Sequence, residues 1–128
     1  MKAQERRMKV PGPDHPISIT PHSGRVRVIC NGRVVADSTR ALMLQETTSP
    51  PVFYIPRKNA EMASFERTSH TTHCPYKGDA SYYSIRVGER VSVNAIWTYE
   101  QPFPAVAEIA GYLAFYPDRV DAIEVMTA

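Results

Sequence analysis

The chain has 128 residues, a length that suits one domain, and its 43% hydrophobic and 22% charged residues are ordinary for a globular protein. A net charge of +2 is too small for the strongly basic patch of a nucleic-acid binder, and no apolar run approaches the length that crosses a bilayer. The charged start runs into "VPGPDHP" rather than an apolar stretch, and two cysteines, Cys30 and Cys74, make a poor disulfide framework, so a cytoplasmic protein with reduced thiols is expected.

In chain order, residues 1–16 read as a flexible arm that carries much of the positive charge in Lys2, Arg6, Arg7 and Lys9. Residues 17–128 read as one domain. "RVRVICNGRVVADS" places Asn31-Gly32 between two β-branched runs, which predicts a hairpin with a type I′ turn. Period two sets Val26, Val28 and Cys30 on one face of its first strand. "ALMLQET" predicts a strand, and "VFYIP" a short one ended by Pro56. Asn59 is a plausible N-cap for one or two helical turns over "RKNAEMASF". The Thr-rich "ERTSHTTH" suits a strand. "ASYYSIRV" and "VSVNAIWTYE" flank a turn at Gly88, and Val91, Val93, Ala95, Trp97 and Tyr99 alternate onto one face of the second strand. Val106, Ile109, Ala110 and Leu113 follow helical spacing between Pro104 and Tyr116, which predicts the one good helix. "RVDAIEV" predicts a last strand. Many short strands with a single helix in the C-terminal half imply a mainly antiparallel β domain.

Three segments carry a resemblance: "HTTHCPYKGDASYYSI", "AIWTYEQPFP" and "IAGYLAFYPDRVDAI", with "GRVVADSTRALMLQE" and "YIPR" ahead of them. The chain resembles a mainly bacterial family catalogued as domain of unknown function four-two-seven, from about Ile17 to Glu124. The resemblance implies a β-tent-like fold of two antiparallel sheets leaning together. That family carries a nucleotidyltransferase-like label, yet this chain has neither a Gly-rich phosphate cradle nor a paired carboxylate motif for two metals. After "YIPR", where the family shows an acidic residue and then valine, this chain has Lys58-Asn59-Ala60.

The candidate site centres on residues 70–84. Cys74 could be a nucleophile, with His73 and Lys77 close enough in sequence to lower its pKa, or a small buried hydrophobe at a strand end. Lys77 and Arg57, both inside the family motifs, would together favour an anionic ligand; the alternative for Lys77 is plain solvation. Glu100, at a strand end before "QPFP", could act as a general acid or base, or form half of an ion pair, and Glu46 is a similar candidate. Trp97 and Tyr99 are either core aromatics or pocket walls, and Tyr54, Tyr76, Tyr82 and Tyr83 are further pocket candidates. The expectation is a pocket for a small molecule, an anion among the candidates, that gathers Cys74 and Glu100 as chemical groups with Arg57, Lys77, Trp97, Tyr99, Tyr54 and Glu46 as ligand-binding groups. No cofactor or metal is assigned. The alternatives are a non-catalytic protein-interaction module working through an edge strand or the arm, and a metal site of His70, His73 and Cys74. Exposed sheet edges make a homodimer conceivable.

Overall fold

The computed structural model describes residues 8–128; Lys2, Arg6 and Arg7 of the basic arm lie outside them. Ten strands follow in order: β1 (Ile17–Pro21), β2 (Arg25–Cys30), β3 (Arg33–Ser38), β4 (Leu42–Glu46), β5 (Val52–Tyr54), β6 (Phe65–Cys74), β7 (Gly78–Val87), β8 (Arg90–Thr98), β9 (Leu113–Phe115) and β10 (Ala122–Met126). They form three antiparallel sheets, ordered β1-β4-β5, β10-β2-β3 and β6-β7-β8-β9. The architecture is mainly β as expected, with three sheets where two were expected. Ile55 and Leu113 exchange two backbone hydrogen bonds of 2.8 Å, which tie the end of β5 to β9.

The β2–β3 hairpin turns at Asn31 and Gly32, whose φ values of 51° and 79° are those a type I′ turn demands. Val26, Val28 and Cys30 face inward together and are essentially fully buried. They belong to one apolar cluster with Ile55, Ile85, Ile96 and Phe115, between the β10-β2-β3 sheet and the long sheet. A second cluster, built from Leu44, Tyr54, Tyr82, Tyr99, Val106 and Ile109, lies between the β1-β4-β5 sheet and the other part of the long sheet. This second cluster is tyrosine-rich, and the candidate site forms inside it.

Three local expectations fail. The helix over Pro104–Tyr116 is absent: Pro104–Ile109 is a kinked 3₁₀ segment, Gly111 turns with φ 77°, and Leu113–Phe115 pairs with β8 as β9. Val106, Ile109 and Leu113 are buried as the spacing required, because a turn followed by a strand brings the same three residues inward, while Ala110 is exposed. Asn59 caps no helix; it accepts a 2.7 Å hydrogen bond from the Ser38 hydroxyl between two short 3₁₀ turns, Arg57–Asn59 and Met62–Ser64. In β8 the expected face is covered only in part: Val91 and Val93 face solvent, at 40% and 64% exposure, while Ile96 and Thr98, on the opposite face, are fully buried. Between the pairs Tyr83–Ile96 and Ile85–Ser92, β8 runs four residues to two of β7, a bulge that includes Asn94 with φ 50°, and two extra residues leave the facing of the strand unchanged.

Candidate functional site

Cys74, Pro75, Tyr76 and Lys77 form the tight turn from β6 to β7, closed by the Lys77 N–H donating to the Cys74 carbonyl at 3.3 Å. The Phe103 N–H donates to the Lys77 carbonyl at 2.9 Å, so "QPFP" braces the turn from outside. Gly78 follows with φ 113°, a backbone state open to glycine and strained for any side chain. The turn directs Lys77 inward, leaving it 9% exposed.

A buried ammonium needs a counter-charge. Lys77 Nζ lies 2.6 Å from Glu46 Oε1, at the end of β4, and 3.7 Å from Cys74 Sγ. The other Glu46 oxygen lies 2.7 Å from His15 Nε2, and the His15 ring stacks on Tyr76 with centroids 3.9 Å apart. Burial pushes the Glu46 carboxyl up, but the hydrogen bonds from Lys77 and His15 outweigh it and hold the group below the ordinary carboxylate value. The described part of the arm thus delivers a side chain to this cluster. The Lys9 N–H donates to the Pro75 carbonyl at 2.8 Å beside it.

A hollow of about 380 Å³ opens next to the Lys77–Glu46 pair. Tyr54, Tyr82, Trp97, Tyr99 and Tyr116 wall it, and the β4–β5 loop closes one side with Ser49 and Pro50. Trp97 Nε1 donates to the Tyr54 hydroxyl at 3.2 Å, and the Tyr82 hydroxyl lies 2.9 Å from Thr72 Oγ1 and 3.1 Å from the Tyr116 hydroxyl. Tyr99 is only 7% exposed, and its hydroxyl has no hydrogen-bond partner among the described residues. Burial raises the Tyr54 and Tyr99 phenols far above the ordinary tyrosine value and lifts Tyr116 to about 12.

Of the sequence-predicted residues, Glu46, Tyr54, Lys77, Tyr82, Trp97 and Tyr99 line this hollow, and Tyr76 and Tyr83 do not. Cys74 sits beside it, reached through Lys77. Arg57 and Glu100 do not line it. Arg57 donates to the Gly111 carbonyl at 2.7 Å and the Tyr83 hydroxyl at 3.1 Å, and meets Glu100 at 3.3 Å. Arg67 grips both Glu100 oxygens, at 2.9 and 3.0 Å, and these bonds outweigh partial burial to hold the Glu100 carboxyl below its ordinary value. The groups expected around one cavity therefore fall into two sets, a hollow and a surface ion cluster. His70, His73 and Cys74 turn to different neighbours: His70 to the Tyr82 ring, His73 to Asp79 at 2.7 Å, and Cys74 to Lys77. Among the described residues no three His, Cys, Asp or Glu side chains come together as metal ligands.

Sequence reasoning missed His15, assigned to the arm, and Tyr116, assigned to the helix end. Neither has a local signal, since each reaches the site across more than thirty residues of chain. Among the described residues no helix is long and apolar enough to cross a membrane. The family model for a domain of unknown function, DUF427, matches residues 18–126, and the chain belongs to that family. No curated protein matches it.

Proposed function

We propose that this protein binds a small, polar, ring-bearing molecule in the hollow beside Lys77. The observation that carries the reading is the Tyr99 hydroxyl, which meets no hydrogen-bond partner among the described residues while its side chain lines a hollow walled by aromatic rings. A hydroxyl left without a protein partner can bond an occupant of that hollow. The cavity is of ligand size, and tyrosine and tryptophan faces suit a flat ring. Charge narrows the class. Lys77 is already neutralised by Glu46, and only a protonated His15 would leave the trio net positive, so a neutral or weakly anionic head fits better than a phosphate. Arg57 is engaged by Glu100 and so gives no support to a strongly anionic ligand.

The same groups could carry chemistry. The Cys74 sulfur lies 3.7 Å from Lys77 Nζ, and the Lys77–Glu46 pair can hold or pass a proton at the hollow's edge. A module working through strand pairing has less behind it. The longest edge strand, β6, carries exposed Glu66, Arg67 and His70, and charge on an edge opposes pairing with another chain, a second copy included.

A thermal-shift screen of metabolites tests the proposal, because a ligand stabilises the state it binds. One or more ring-bearing compounds should raise the melting temperature of the wild type. Tyr99→Phe should keep its stability and lose most of that ligand-dependent shift. No shift across the screen, or equal shifts in the two proteins, would overturn the reading.

A further inference from the structure

A second hollow, of about 300 Å³, lies against the first. Its lining side chains are mostly aliphatic and aromatic, with Val26 and Val28 of β2, Ile55, Phe115, and Ile123 and Val125 of β10. Val52 and Trp97 line both hollows, so the two share a wall made of two half-buried side chains. The first hollow presents hydroxyls and a charge pair; in the second the one polar side-chain group, Trp97 Nε1, already donates to the Tyr54 hydroxyl. Water gains little in such a space, because it needs two to four polar partners to stay. Hydrocarbon is the matter that fits it.

Building on the small-molecule reading above, we infer that the ligand is amphiphilic: its polar ring occupies the hollow beside Lys77, and an alkyl tail crosses Val52 and Trp97 into the apolar hollow. Shape and chemistry agree on this occupant. A polar compound alone would leave the second hollow empty, and a bare hydrocarbon would leave the Tyr99 hydroxyl unbonded. Trp97, the only tryptophan of the chain, lies at the crossing and reports on both compartments.

The probes are 4-alkylphenols of increasing chain length, phenol itself and the matching alkylbenzenes, titrated against the full chain while Trp97 fluorescence is read. Affinity for the alkylphenols should rise about fourfold per added methylene until the apolar hollow is full, at one molecule per chain. Alkylbenzenes should bind more weakly than the corresponding alkylphenols, and Tyr99→Phe should erase that difference. Val125→Trp, at a position already 42% exposed and therefore tolerant of change, should plug the apolar hollow. It should abolish the dependence on chain length and leave phenol binding intact. Ile123→Phe, smaller and on the same strand, should flatten the dependence and guards against misfolding of the first variant.

Phenol binding with no gain from the tail would overturn the inference while leaving the small-molecule reading in place. Two molecules per chain, or alkylphenol-driven dimerisation, would also overturn it, because the tail hollow would then serve a separate occupant or a second copy. No binding by any probe, together with a blank metabolite screen, would remove both.

Discussion

At the scale of single residues, Lys77 organises the site. Its ammonium is nearly buried and its partner, Glu46, is only a quarter exposed, so the pair is shielded from solvent more than a surface salt bridge. Charged hydrogen bonds of this kind contribute roughly 1.5–3 kcal/mol, and removing one partner strands the other. Lys77→Met should therefore lower stability by about 2 kcal/mol in urea unfolding. It should also change the rate at which iodoacetamide alkylates Cys74, since the group in contact with the sulfur is replaced. An unchanged alkylation rate in a folded Lys77→Met protein would exclude Lys77 as the group that controls access to the thiol. Cys30 is the internal control: burial, then the charge of Asp121, pushes its thiol up, and it should stay unreactive in both proteins.

At the scale of elements, the segment from Pro104 to Phe115 decides how the hollow is walled. Gly111 converts what would be a helix into a turn followed by β9. Its φ of 77° suits glycine, its N–H donates to the Tyr99 carbonyl at 2.9 Å, and its carbonyl accepts from Arg57. Any side chain there is strained, so Gly111→Ala should cost about 1 kcal/mol or more. Because the strain is passed to Tyr99 and β9, this variant should also weaken binding of whatever compound the screen identifies. A fully stable Gly111→Ala with wild-type binding would mean that the turn is not what positions Tyr99.

At the scale of the whole molecule, the ionisable groups define a pH window. Glu46 and Glu100 have carboxyls below their ordinary value of 4.5, so their stabilisation is complete above that value and is lost as pH falls through the lowered one. Tyr54, Tyr99 and Tyr116 have phenols above the ordinary 10.0, with Tyr116 at about 12. Their contribution is complete below 10 and is lost as pH rises toward those raised values. Melting temperature against pH should form a plateau from about 5 to about 10 and fall on either side. Glu46→Gln should flatten the acid limb, and Tyr116→Phe should shrink the alkaline one. A curve with no alkaline fall by about pH 12 would mean that the phenols are not buried in solution.

Local pattern carried much of this protein by itself. The Asn31-Gly32 hairpin, the Gly88 turn and the strands around them were legible because turn chemistry and period-two alternation act within a few residues of each other. So were Glu46, Lys77, Trp97 and Tyr99 as residues that line one hollow, since they stand at strand ends or within a tight turn. Tertiary structure alone decided the rest. Helical spacing at Val106, Ile109 and Leu113 did not produce a helix, because Gly111 and the unpaired edge of β8 offered a strand instead. The exposure of Val91 and Val93 on β8 depended on how far the neighbouring sheet covers that face, which no hydrophobic pattern reports. The parting of Arg57 and Glu100 from Lys77, and the arrival of His15 and Tyr116, depended on which sheets meet. That meeting is fixed by apolar packing between segments distant in the chain, and a hydrophobic side chain carries no label naming its partner.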